Sequence, residues 1–366
     1  MQQTELKYFL SLLRTPLIGP RLIRTIIAYS GSAEAVYQEK KDSLKKIPGI
    51  GPKLAQQITK FKDFDAVEKE LAFIEKHKIQ ALTYLDDQFP QRMKDLEDAP
   101  PLLFYKGNAN MNVDKIIAVV GTRNASSYGK KVCERIIEEL SEYKVTIVSG
   151  LAFGIDHCAH KAALSKGLPT IAVLGHSLDM VYPYQHRSLA IEMLSNGGLL
   201  TEYWSGTKPD KGNFPERNRI VAGITDGVLV IESGIKGGAL ITADIAISYN
   251  RDVFAVPGRT DDEMSSGCNK FIKINRAILA ENASDIAYQL GWNIKYKPKV
   301  KKIIDTTGLN EKEKILVEIL KESDKTHVDK ISSTLNLHHS DLSLILLDME
   351  FRGYISALPG NFYRTA

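Results

Sequence analysis

The chain has 366 residues, with 43% hydrophobic and 25% charged side chains, the composition of globular material with enough apolar mass for a sizeable core. That excludes a mainly disordered, collagen-like or disulfide-stapled chain, and at about 150 residues per domain it predicts two to three domains. The net charge is only +4, yet residues 1–62 hold eleven Lys and Arg against four Asp and Glu. A basic terminal segment on a near-neutral body points to a polyanionic partner; a merely solvated basic face is the alternative. No apolar run approaches the ~18 residues of a membrane span, and Met1–Leu13 lacks the basic start of a secretory signal. Cys133, Cys158 and Cys268 form no CxxC pair, as suits a reducing compartment. A cytoplasmic location without membrane contact is expected.

Residues 1–65 read as short amphipathic helices separated by Gly-Pro turns. Ile47-Pro48-Gly49-Ile50-Gly51-Pro52-Lys53 has the form of a helix-hairpin-helix turn. Its glycines expose successive backbone N–H groups ahead of a helix N-terminus, so Gly49, Gly51 and Lys53 form a candidate phosphate cradle that needs no base contact. Pro16-Leu17-Ile18-Gly19-Pro20 is a second copy, with Leu17 where the first has Gly49. A purely structural hairpin remains the other reading.

Residues 66–114 carry a helix (66–78) and a Pro-bearing stretch (89–107), read as an extension packed on the next domain. From about 115 to 258, six apolar runs (116–120, 145–148, 170–174, 199–203, 228–231 and 253–256) alternate with helical patterns. Such alternation means βαβ units and a mainly parallel, doubly wound sheet. Ligands of these sheets lie beyond the carboxyl ends of the strands, so the loops at Gly121, Ser149, Gly175 and Glu232 are expected on one edge. The dinucleotide fingerprint GxGxxG is absent after the first run, and Gly129-Lys130-Lys131 lies at the wrong spacing from Gly121 for a P-loop. No nucleotide cofactor is expected. His157-Cys158-Ala159-His160 crowds its ligands on one helical turn with no companion pair, which does not make a zinc site. No GxSxG elbow supports a Ser hydrolase.

What remains is a sheet edge rich in phosphate-friendly groups. Arg123 offers a fork to phosphate, Gly150 opens a flexible loop into a helix, and Lys211-Gly212-Asn213-Phe214-Pro215-Glu216-Arg217-Asn218-Arg219 combines cations with an aromatic, as single-strand binding surfaces do. For Phe214 the alternative is a core anchor; for Arg217 and Arg219 it is pairing with Glu216 or Asp226.

Together these blocks resemble the DNA-processing protein A family (DprA, also called Smf). The resemblance is carried by Val120–Arg123, Val148–Ala152 with Gly154–Asp156 and Ala159-His160, Thr170–Gly175 with Asp179, Tyr182 and Pro183, Phe214–Ile220, Gly238–Ala243 and Val253–Gly258. It departs at Gly237-Gly238-Ala239 and at Asn275-Arg276. It implies an extended Rossmann-like domain that binds single-stranded DNA, protects incoming DNA and loads RecA recombinase during natural transformation, without enzymatic activity, as a homodimer through that domain. The implied contacts are Arg123, Lys211 and Phe214, with Gly121, Ser149, Gly150, Arg217 and Asn218 around them.

A Lys-rich linker (296–308) separates the Rossmann-like domain (66–295) from a terminal domain (309–366). Three helical segments (311–321, 328–335, 341–352) and a strand-turn-strand (354–364) form a winged-helix pattern. Its third helix shows Asp341, Asp348 and Glu350 against Arg352 alone, which favours a protein contact over duplex reading. Two rivals stand beside this function: a nucleotide-cleaving phosphoribohydrolase using Glu232 or Asp244, and a duplex-binding regulator using the winged helix.

Overall fold

Short runs buried on both faces become central strands, and here six of them do. The computed structural model describes residues 3–292, 309–321, 325–335 and 337–365; the Lys-rich stretch 296–308 lies outside them. In chain order the strands of the main sheet are β1 (Gln80–Thr83), β2 (Leu102–Gly107), β3 (Ile116–Val120), β4 (Thr146–Ser149), β5 (Thr170–Val173), β6 (Gly197–Thr201), β7 (Gly227–Val230), β8 (Asp252–Ala255) and β9 (Ile278–Leu279). Their spatial order is β1-β2-β6-β5-β4-β3-β7-β8-β9. All neighbours from β6 to β9 are parallel, whereas β1 and β2 add an antiparallel edge. The Pro-bearing stretch is thus corrected: its last six residues are a strand of the sheet itself.

Alternation along the strands sorts side chains between two layers. Ala118, Val120, Val148, Val228 and Val230 face one core, and Ile117, Val119, Ile147, Leu229 and Ile231 face the other. Helices cover both faces, α7 (Ser127–Leu140) and α8 (Ile155–Ser165) on one, α10 (Asn213–Gly223) and α11 (Gly238–Ser248) on the other; α9 (Arg187–Met193) follows β5, and α12 (Ser266–Lys273) and α13 (Ala283–Gln289) close the unit. The chain runs from β3 outward to β6 and then returns beside β3 with β7, so the strand order reverses at β3.

Six helices precede the sheet: α1 (Gln3–Arg14), α2 (Pro20–Ser30), α3 (Ala33–Gln38), α4 (Lys41–Leu44), α5 (Pro52–Thr59) and α6 (Phe64–Lys76). Phe9, Ile26, Ile58, Val67 and Leu71 share a core with Leu102 and Phe104 of β2. The alternate residues Leu103 and Tyr105 point into the main core. One strand therefore belongs to both layers, and the expected boundary at residue 65 falls inside a continuous apolar core within the compact unit that ends at residue 294.

The described residues from 309 onward belong to a second compact unit. It contains the three expected helices, α14 (Glu311–Lys321), α15 (Val328–Leu335) and α16 (His339–Phe351). A three-stranded sheet joins them, built from β10 (Thr326–His327), β11 (Ile355–Leu358) and β12 (Phe362–Thr365). Leu316, Ile331, Leu342, Leu346 and Met349 are its core. No helix among the described residues is long and apolar enough to cross a membrane.

The two hairpins adopt the same backbone. Gly49 has φ +85° and Leu17 has φ +67°, each two residues before the glycine that caps a helix starting with proline. A left-handed residue other than glycine costs about 1–2 kcal/mol, and Leu17 remains 69% exposed, so little packing offsets that cost. Leu17→Gly is expected to raise stability by about 0.5–1 kcal/mol, because the glycine's own unfolded-state entropy takes back part of the relief. Gly49→Ala should lower it by at least as much, with Leu22 Cδ1 already 3.1 Å from the added carbon. Thermal melting of both variants checks this; a lower melting temperature for Leu17→Gly would mean that the leucine side chain holds the hairpin.

Candidate nucleic-acid interface

The carboxyl ends of β3, β4, β5 and β7 bring their loops to one edge, as parallel strands require. The loop after β3 is clamped from both sides: Thr122 N donates to the carbonyl of Glu232 at 2.7 Å, and Ile155 N donates to the carbonyl of Thr122 at 3.2 Å. Arg123 leaves this clamp exposed, and its guanidinium carbon stands 5.6 Å from the centre of the Phe214 ring.

Phe214 lies in the first turn of α10. Proline is tolerated in a helix's first turn, so Pro215 does not prevent it. The ring is half-buried over Gly175: a side-chain carbon there would sit 2.9 Å from Phe214 Cδ1. Asn213 Nδ2 donates to the Gly175 carbonyl at 3.2 Å and ties the helix start to the same loop. Tyr182 stands beside the ring, with centroids 5.8 Å apart and planes tilted by 32°, and it is 50% exposed. Sequence reasoning did not place Tyr182 in the site; the signal was an aromatic-proline pair in the loop after β5, on the same edge. Lys211, three residues before Phe214, is exposed and pairs with no carboxylate among the described residues.

Four expected contact residues occupy other positions. Ser149 is fully buried, its hydroxyl donating to the Val119 carbonyl at 2.6 Å. Gly150 spends its N–H on Asp156 Oδ2 at 3.1 Å and its carbonyl on Arg217 Nη1 at 2.8 Å. Ala152 N adds a second bond to Asp156, so this loop's amides serve a carboxylate of the protein itself. Gly121 is half-buried, packed so closely on Ile155 that a side-chain carbon would lie 2.5 Å from Cγ1.

Arg217 is the largest correction. It is 5% exposed, and its Nη1 donates to the carbonyls of Gly150 and Val173. Burial pulls its pKa down to about 10 while Asp156 opposes that shift, so it stays charged at neutral pH. Asp156 is raised above the usual carboxylate range by burial, with Arg217 as the main opposing influence. Both side chains are buried beneath the edge, each bonded to backbone groups of the loop after β4. Asn218 is half-buried on α10. Arg219 pairs with Glu202, not with Glu216 or Asp226; Asp226 pairs with Arg92 at 2.7 Å.

The carboxylates of the hydrolase rival are engaged elsewhere. Glu232 is buried and accepts from Ser126 N at 2.9 Å and from the Ser126 hydroxyl. Asp244 pairs with Arg276 at 2.9 Å. At the far end of the chain, Arg352 pairs with Glu313 at 3.2 Å and with Asp348 at 3.3 Å. In the hairpin, Gly51 caps α5 and Lys53 is exposed on its first turn.

The profile of the DNA recombination-mediator protein A family matches residues 80–291. A SAM-like helix-hairpin-helix tandem matches residues 9–61, and the DprA winged helix domain matches residues 305–361. The chain is 33% identical to Protein Smf of Synechocystis sp. across the whole of both chains. It is 44% identical to DNA processing protein DprA of Streptococcus pneumoniae over 54% of this chain and 69% of that protein. The fold is similar to the X-ray structure of DNA processing protein A from Streptococcus pneumoniae, with a TM-score of 0.67 at 34% identity over 80% of this chain and 99% of that one. It is also similar to DNA processing protein A of Helicobacter pylori, described for its single-stranded DNA binding mode, with a TM-score of 0.53 at 29% identity over 58% of this chain and 95% of that one. With more than half of its length inside one profile and a relative matched from end to end, the chain belongs to the DNA recombination-mediator protein A family.

Proposed function

We propose that this protein binds single-stranded DNA at the carboxyl edge of its sheet and delivers it to RecA recombinase, without chemical conversion of the strand. The observation that carries the reading is the Arg123–Phe214–Tyr182 group over Gly175. Half-exposed rings accept any base by stacking, and the guanidinium beside them accepts phosphate. Lys211 supplies a further point charge. The relatives named for DNA processing, and the Helicobacter pylori protein described as binding single-stranded DNA, support it. The hairpin at Gly49, Gly51 and Lys53 adds phosphate affinity without sequence preference. Self-association through the Rossmann-like domain fits the exposed Ile274, Ile278 and Leu279 at the free β9 edge, since such edges and apolar patches seek cover. A duplex-reading winged helix is disfavoured by the paired Arg352 and the acidic third helix.

Phe214→Ala is expected to weaken binding of every single strand by about tenfold, because base stacking is worth about 1–3 kcal/mol and ignores sequence. Lys211→Ala should lower the salt slope of binding by about 0.7. Melting temperature and affinity measured on the same Phe214→Ala sample decide the matter: a large loss of stability with normal affinity of the folded fraction makes Phe214 a core anchor.

Arg217→Ala behaves differently on this reading. It removes the donor shared by the buried Gly150 and Val173 carbonyls, a loss of about 1–3 kcal/mol for acceptors left unpaired, and should leave the salt slope unchanged. An intact melting temperature with a reduced slope would instead make Arg217 a phosphate ligand.

Truncation before residue 305 should preserve single-strand affinity, because the winged-helix residues form their own compact unit. A gel-shift titration in which the truncated chain loses most of its affinity would move the principal site to the terminal unit.

A further inference from the structure

Arg123 stands beside Phe214 and also lines a cleft of about 770 Å³ between the loops after β3 and β4, helices α7 and α8, and the turn before α9. Three rings line this cleft in sequence. Phe153, 45% exposed, meets His186 edge-on with centroids 4.9 Å apart, and His186 lies 4.5 Å from His157. His186 Nδ1 contacts the Leu151 carbonyl at 2.8 Å; a carbonyl only accepts, so this nitrogen carries the proton and the ring is held in place. Burial, reinforced by His186, Lys161 and Lys130, keeps His157 below the ordinary imidazole range, so it presents a neutral ring at neutral pH.

Two cations complete the lining. Lys130 on α7 and Lys161 on α8 are exposed and hold no ion pair among the described residues. Lys161 is one turn beyond His157, so both lie on the same helix face. Glu134 is the one carboxylate among the lining residues.

We propose that this cleft is a second station for the strand held at Phe214, taking a further nucleotide with its base against Phe153 and its phosphate between Arg123 and Lys161. The inference rests on the single-strand reading of the Phe214 group, because Arg123 both stands beside Phe214 and lines the cleft. A row of aromatic rings between unpaired cations matches the alternating bases and phosphates of a strand. A free nucleotide offers the same chemistry, and the test separates the two sources.

The full-length protein is titrated with labelled oligothymidylates of increasing length, with thymidine monophosphate as an unlabelled competitor. Wild-type affinity should step up at the length that reaches the second cleft. Phe153→Ala and Lys161→Ala should remove that step, a loss of about tenfold on the longer strands, and leave the shortest bound strands unaffected. Lys161→Ala should also lower the salt slope on long strands by about 0.7. Phe153→Trp should restore the step, which a fold defect at this position does not predict. Phe214→Ala should weaken all lengths. An unchanged step in both Phe153→Ala and Lys161→Ala, with Phe214→Ala still weak, overturns the second station and leaves the Phe214 reading standing. Thymidine monophosphate binding that is lost in these variants while strand affinity is unchanged assigns the cleft to a free nucleotide and overturns it equally. Full affinity in Phe214→Ala and Arg123→Ala removes the parent reading, and this one with it.

Discussion

A buried arginine sets the geometry of the sheet edge. Arg217 reaches back from α10 to the carbonyls that end β5 and follow β4, and Asp156 at the start of α8 accepts from amides of the same loop. Two elements far apart in sequence are thereby tied to one point under the surface. Phe214 lies three residues before Arg217, on the same face of the helix, so anchoring the arginine also fixes where the ring stands over Gly175. Arg217, expected around the contact residues, instead helps to place the ring from below.

The same economy governs the helical module. β2 turns Leu102 and Phe104 toward helices α1–α6 and Leu103 and Tyr105 toward the sheet. Removing the helices would expose the first pair, so the hairpins are attached through shared packing and not through a flexible linker. Their equal backbone at Leu17 and Gly49 shows that the fold imposes the left-handed turn on both copies. Glycine lowers the cost of that turn; it does not create it.

Much of this architecture is legible in the sequence because central parallel strands are buried on both faces and read as unbroken apolar runs. All six runs became strands, and the helices of the terminal unit fell where their periodicity put them. The antiparallel edge was hidden by Pro90, Pro100 and Pro101, which argue against a strand interior although they only precede this one. The two-residue β9 carries no period at all. α10 was missed because Asn213–Arg219 is polar, with Pro215 among it, and its helical state is fixed by tertiary contacts. Of the site, Arg123, Lys211 and Phe214 were recognisable as surface chemistry. Arg217 and Ser149 were not separable from them, since whether a polar side chain faces inward depends on a partner that folding brings near.

Three parts of this chain carry features that sequence alone associates with nucleic acid, and their chemistry differs. The hairpins offer backbone N–H groups and scattered lysines, which meet phosphates and carry no base contact. The third helix of the winged unit offers Asp341, Asp348 and Glu350, an arginine already paired, and exposed Leu344, Leu347 and Phe351. These apolar side chains recur at helical spacing along one face, a surface suited to protein and repellent to a polyanion. The sheet edge sets Arg123 beside the partly exposed rings of Phe214 and Tyr182. A strand without a complementary partner exposes its bases, and the free energy available from covering them lies in stacking. On the proposed reading, the edge that carries the rings is therefore the place where single strands are told apart from duplex.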